Sequence, residues 1–372
     1  MHWLLRIDRR LIYALVAIAI GLPTLWRFRL PIAPSPPVEG VHSAIEALEP
    51  GQVLLASLDF DPASAPELEP MSRAVLRHAF RKRLRVIAMT HWPQGVGLAN
   101  QIVEQTVREF DEITVAFERF ASRQQAEQRR AALAGQPLAE ALGGPAAVGA
   151  AGTAVIRAGA GSVRSRSGAE PPAWSPALLQ ALGQAEPGSS ALVEDPERGW
   201  YLLAVRERTP SLRYGEDYVF LGQRAGLGIL IVSMGQSMHA AFPADAAGRP
   251  TREMPVFRGV ETLGDVDYLI CLAAGNSGEA WVAYGAERYK FPMGIGCTAV
   301  IAPDLYPYWQ AGQITGIVGG VKGAWEYEHL IGIPAQATEM VPAQTVAHMV
   351  VIALIAICNL GYFLSRRRGG AR

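Results

Sequence analysis

Cysteine is scarce. Cys271, Cys297 and Cys358 are the only three in 372 residues, too few and too scattered for a disulfide framework or a zinc cluster. An excess of one charge is also missing: 34 Lys+Arg balance 34 Asp+Glu, so no basic surplus exists to release counterions from phosphates, and nucleic acid is not an expected partner. The charged fraction of 18% lies below the roughly 25% of ordinary soluble domains. Half of the residues are hydrophobic and the mean hydropathy is positive, which excludes wholesale disorder and points to a membrane-anchored chain. Complete catalytic signatures are absent too. Neither Ser233 nor Ser237 sits in a Gly-x-Ser-x-Gly elbow, no Lys follows Gly275–Gly278 as a P-loop requires, and His91 has no second His at metal-ligand spacing.

Two long apolar runs stand at the ends. Residues 11–28 contain Leu11–Trp26, preceded by Arg6, Arg9 and Arg10 and followed by Arg27 and Arg29 without a small-residue cleavage site, the pattern of an uncleaved signal anchor. Residues 345–364 match the ~20 residues that cross a hydrocarbon core, and Arg366, Arg367, Arg368 and Arg372 follow in the tail 365–372. The positive-inside rule places both termini, 1–10 and 365–372, in the cytoplasm and the domain between them outside the cytoplasmic membrane. His348 and Asn359 lie inside the second run. Polar groups at that depth often face a protein partner.

Between the anchors, a Pro-rich stalk (29–40) leads to a short helix over 43–48. Strand and helix then alternate: strand 52–58, helix 66–83, strand 85–90, and a long amphipathic helix 97–130. Residues 131–170 hold 13 Ala and 8 Gly and few bulky side chains to offset the entropy of ordering, so 131–199 reads as a flexible insertion, with a peripheral helix near 176–182 and a strand at 200–206. Alternation returns with strand 229–233, helix 236–242, strand 268–273, helix 279–289, strand 296–302 and helix 309–331, followed by a linker at 334–344. Short runs apolar on both faces are those of parallel strands covered on both sides. The expectation is α/β: a flavodoxin-like or Rossmann-like doubly wound sheet of about five strands in the order 2-1-3-4-5, split by the insertion into 41–130 and 200–333.

Ligands of such sheets bind beyond the carboxyl ends of the strands. That rim would collect Asp59 and Asp61, Thr90-His91, Ser233, the loop Gly275, Asn276, Ser277, Gly278, and Asp304. Asp, Asn, Ser and Gly are also good turn and cap residues. Asp59 and Asp61 are the candidate metal-binding pair, with His91 and Ser233 as further catalytic candidates. An Asp-x-Asp after a first strand, with Thr90 closing the second, resembles the start of the haloacid-dehalogenase phosphatase pattern, which implies an attacking Asp and a magnesium ion. Ala63 stands where that pattern has Thr or Val, and Gly264-Asp265-Val266-Asp267 precedes a strand where the family's acidic motif follows one. Glu216 and Asp217, in an aromatic and acidic string from Tyr214 to Gly222, are additional ligand-binding candidates. Gly312, Gly316, Gly319, Gly320 and Gly323 recur at helical steps within 309–331, which would bare one helix face for close packing against its own sheet or a partner.

The strings Tyr214–Gly222 and Leu305–Leu330, the segment Asp59–Pro70 and the two flanking apolar runs resemble an uncharacterised family of prokaryotic membrane proteins with one α/β domain between two transmembrane helices. The resemblance implies the architecture and no activity. The expected function is an extracytoplasmic interaction or assembly module whose partners are the bilayer and other membrane proteins or a second copy. The alternative is a metal-assisted hydrolase, or a small-ligand-binding domain, that uses the carboxyl-end rim. No cofactor is expected beyond a possible divalent metal.

Overall fold

The computed structural model describes residues 12–18, 21, 33–142, 150–157, 162–168, 172 and 174–369. Helix α1 (Pro36–Glu46) is followed by β1 (Val53–Asp59), α2 (Ala65–Arg81), β2 (Arg85–Thr90) and α3 (Val96–Arg108). A second unit intervenes with β3 (Glu112–Phe120), α4 (Arg123–Ala132), β4 (Ala150–Arg157), β5 (Ser162–Gly168), α5 (Pro176–Gln184), β6 (Ser190–Asp195) and β7 (Gly199–Thr209). The first unit resumes with β8 (Tyr218–Gln223), α6 (Leu227–Gln236) and β9 (Tyr268–Ala273). A helical stretch containing the π-segment Trp281–Ala286 leads to β10 (Met293–Cys297), α7 (Ala302–Gln310), β11 (Ile317–Gly319), α8 (Gly320–Leu330) and α9 (Gln336–Gly369).

Six strands form an all-parallel sheet in the order β11-β10-β9-β1-β2-β8. Numbered within that sheet alone, the order is 3-2-1-4-5-6, so the parallel α/β layer is as expected while its strand count and order differ. The alternation of side chains along each strand feeds two cores. Leu54, Ala56, Leu58, Ile270 and Leu272 pack under α1, α2, α3, α8 and the start of α9. Leu55, Ile87, Leu269, Cys271 and Ile295 pack under α6, the π-segment and α7. A buried ion pair, Arg77 Nε to Glu109 Oε2 at 2.6 Å, joins α2 to the end of α3.

Several expected elements are corrected. Ile229–Ser233 is part of α6, not a strand, because a short apolar run fits a buried helix as well as a strand; the missing edge strand is β8, inside the aromatic string. The expected helix 97–130 is α3, β3 and α4. The Ala/Gly-rich segment is not a bare insertion: its described residues supply strands of a five-stranded antiparallel sheet, β5-β4-β3-β7-β6. Here small side chains cost little, since Ile113, Val115, Phe117, Tyr201 and Val205 from the flanking strands provide the bulk of the core. Part of the stalk is already helical, with Pro36 and Pro37 at the start of α1, a turn where the missing N–H costs nothing. The linker 334–344 is mostly the first turns of α9. Gln336–Asn359 is long and apolar enough to cross a membrane. Of the first expected span, residues 12–18 and 21 are helical and the rest lies outside the described residues.

The antiparallel unit leaves after α3 and rejoins before β8, at the amino ends of the parallel strands. Arg208 of β7 fastens it there, donating to Asp111 Oδ2 and to the carbonyls of Arg108 and Ala185. The carboxyl ends are left uncovered by it.

Candidate site at the carboxyl ends of the parallel strands

The strand order reverses between β1 and β9, and the crevice beyond that reversal is where open α/β sheets hold ligands. Asp59 ends β1 here and is buried. Its Oδ1 accepts the backbone N–H of His91 at 2.6 Å and its Oδ2 accepts the hydroxyl of Ser57 at 2.7 Å, with the Cys271 thiol of β9 at 3.8 Å. The carboxylate thus ties β1 to the end of β2 and to β9. Asp61 turns away: its Oδ1 accepts the N–H groups of Ala63 and Ser64, a local cap ahead of α2. The expected metal pair is therefore committed to hydrogen bonds within the fold.

His91 is the unusual member. It is 8% exposed, and neither Nδ1 nor Nε2 has a hydrogen-bond partner. Its ring lies against that of Trp281, with centroids 5.6 Å apart, and the indole Nε1 of Trp281 is likewise buried and unpartnered. Burial lowers the imidazole pKa, with the charge of Asp59 pulling it back up, so a neutral ring offers one donor and one acceptor. Buried polar groups without partners each cost on the order of 1–3 kcal/mol, a cost that native folds rarely carry without a use.

Gly275, Asn276, Ser277 and Gly278 do lie at this rim. Nothing approaches within 4 Å of where a Cβ on Gly275 would be, and Gly278 packs on Ile295. Asp304 is exposed in the first turn of α7. The loop between β1 and α2 contains no glycine, so the fingerprint through which a dinucleotide pyrophosphate approaches the backbone is not present.

Other candidates fall elsewhere. Ser233 is within α6, where the misread strand put it at a strand end. Glu216 and Asp217 precede β8 and lie at the opposite, amino end of the sheet. There Asp217 Oδ2 accepts the N–H of Arg213 and Glu216 pairs with the Arg213 guanidinium. The five glycines do not share one helix: Gly312 and Gly316 precede β11, Gly319 ends it, and Gly320 and Gly323 belong to α8. Gly312 and Gly320 take left-handed backbone, φ 72° and 60°, a Cβ on Gly316 would collide with the Pro37 carbonyl oxygen of α1, and Gly319 and Gly323 are close to Ala302 and Val318. Gly316, Gly319, Gly320 and Gly323 serve close approach inside the domain, while Gly312 is an exposed turn residue with nothing within 4 Å of where its Cβ would be, so the bare helix face on which an assembly role rested does not form. Among the described residues, His42, Glu46 and His78 form a trio of potential metal ligands at the amino end. Glu46 is already held by His78 Nε2 and Lys82, and His78 Nδ1 by the Tyr327 hydroxyl.

Sequence reasoning missed Trp281 and Ser57. Ser57 carried a signal, a lone hydroxyl in an apolar strand two residues before Asp59 and therefore on its face. Trp281 carried none, since its partner His91 follows β2, far away in the chain. No protein family, curated protein or solved structure matches this chain.

Proposed function

We propose that the chain is a membrane-anchored α/β domain that holds a small polar ligand at the crevice between β1 and β9. The observation that carries this reading is the pair of buried, unpartnered side chains, His91 and Trp281, at the topological reversal of the sheet. Together they offer two donors and one acceptor, which suits a ligand with acceptor oxygens and a polar hydrogen, such as a hydroxylated acid or an amide. The anchoring half of the reading is supported by the apolar length of α9, by the N-terminal apolar run, and by the Arg clusters beside both runs, which favour cytoplasmic termini under the positive-inside rule. Metal-assisted hydrolysis and self-assembly are less favoured, because both oxygens of Asp59 are engaged within the sheet, Asp61 caps a local turn, and the glycines do not line one helix face.

Native mass spectrometry of protein extracted from its own membranes tests the proposal. The expected result is a bound small molecule on the unaltered chain that is lost from His91→Phe, which keeps ring volume and removes both nitrogens. Finding both proteins at the bare masses of their own chains would count against it, as would a ligand retained by the variant.

A further inference from the structure

The path of α9 decides which way the domain faces. Helix α8 starts at the carboxyl edge of the sheet, directly after β11, and runs back to the amino end, where the Arg81 guanidinium donates to the Ile331 carbonyl. There the carboxylate of Glu328 accepts the N–H groups of Ala335, Ala337 and Thr338 and the Thr338 hydroxyl, capping the first turn of α9. From that fixed start α9 runs along α2 and α8, with Ala337 and Val341 buried, and climbs toward the carboxyl ends. Gln344, Thr345 and His348 line a cavity of about 790 Å³ together with Glu67, Ala299 and Gly320, residues that follow β1, β10 and β11. Beyond this point α9 presents Met349, Val351, Ile352, Ile355 and Ile357 to its surroundings. No flexible linker separates the helix that is apolar enough to span from the folded domain.

The exposed apolar residues agree with that direction. Outside the two terminal helices, the large exposed hydrophobic residues among those described are Trp92, Ile229, Tyr284, Val300 and Tyr306. Each lies in a segment that follows the carboxyl end of a parallel strand: β2, β8, β9, and β10 for the last two. Val300 and Ile229 are 83% and 82% exposed, a costly state in water for β-branched aliphatic side chains. Aromatic and aliphatic side chains exposed in the loops and helices that follow the strands' carboxyl ends have the composition of a membrane interface.

We infer that the carboxyl-end rim docks on the lipid bilayer in which α9 is anchored, with Trp92, Ile229 and Val300 entering the interfacial layer. This deepens the proposed function and rests on its anchoring half. The crevice between β1 and β9 then opens toward lipid, so its ligand arrives at the membrane surface, and the antiparallel unit is held on the far side.

Fluorescence depth measurements on the full chain in nanodiscs test this. The environment-sensitive dye NBD is placed at Val300→Cys or Ile229→Cys in a Cys358→Ser background, at Glu49→Cys on the amino end as control, and at native Cys358 as a marker of α9. Lipids brominated near the head group supply the quencher for 300, 229 and 49, and lipids brominated deep in the acyl chains supply it for 358. Docking predicts blue-shifted, lipid-quenched emission at 300 and 229, neither at 49, and quenching at 358. Quenching at 358 without any at 300 and 229 overturns docking alone. No quenching at 358 overturns the anchoring reading and docking with it. Protection of 300 that vanishes when each nanodisc holds one copy assigns the surface to a second copy and overturns the bilayer as its occupant.

Discussion

The carboxylate of Asp59 accepts the backbone N–H of His91 at 2.6 Å, so the last residue of β1 holds the first residue beyond β2 in place. The same carboxylate holds the Ser57 hydroxyl, and both oxygens are thereby used inside the sheet. Asp59→Ala leaves the His91 N–H and the Ser57 hydroxyl buried without their acceptor and is expected to cost about 3 kcal/mol, whereas Asp59→Asn keeps one acceptor oxygen and costs about 1 kcal/mol. Urea denaturation of the detergent-solubilised protein measures the difference. Equal losses would mean that these hydrogen bonds add little.

Gly316 and Gly312 look alike in the sequence and differ in the fold. Gly316→Ala pushes a methyl into the Pro37 carbonyl and toward the Val41 N–H of α1, and a loss above about 3 kcal/mol is expected, accompanied by exposure of α1 to protease. Gly312→Ala meets nothing and bears only the left-handed backbone, about 1–2 kcal/mol. Thermal unfolding should rank them in that order.

Burial pushes the His78 imidazole down to about 4, against the raising influence of Glu46. The native protein therefore holds it neutral, with Tyr327 donating to Nδ1 and Nε2–H donating to Glu46. The unfolded chain binds the proton near 6.5, so the stability this site contributes is whole above that pH and falls as pH drops from about 6.5 to about 4, by up to about 3 kcal/mol. Chemical denaturation between pH 7 and 4 should show the decline in the unaltered chain and a shallower slope in His78→Gln.

Glu328 fixes the start of α9. Glu328→Ala strips the acceptor from three backbone N–H groups and is expected to cost about 2–4 kcal/mol, with hydrogen exchange of the 335–338 amides rising well before that of β1. Unchanged protection there would show that α9 is seated by packing alone.

Two thiols are expected to be inert. Burial, with Asp59 nearby, raises the Cys271 pKa well above the usual thiol range, and burial pushes Cys297 up to about 12. In a Cys358→Ser background, an aromatic disulfide such as dithiobis(nitrobenzoate), which a thiolate cleaves with release of the aryl thiolate, should modify neither at pH 8 until the protein unfolds. Rapid modification of the folded chain would place them at an accessible site.

Features that depend on local pattern were legible along the chain. Apolar runs with β-branched residues marked β1, β2 and β9 almost to the residue, the apolar run 345–364 marked part of the helix long and apolar enough to cross a membrane, and the polar residues closing β1, β2 and β9 marked the rim. Tertiary structure decided everything that depends on a partner distant in the chain. The run Ile229–Ser233 became helical because α6 packs against the π-segment, and the spaced glycines were divided among a loop, β11 and α8 because α1 and Ala299 lie where side chains would be. His91 met Trp281 because two strands far apart in the chain flank β1 in one sheet. Hydrophobic periodicity reports which residues leave water, since that preference belongs to each side chain alone; the strand order, the orphaned nitrogens and the direction in which α9 leaves the domain come from pairings that no local window contains.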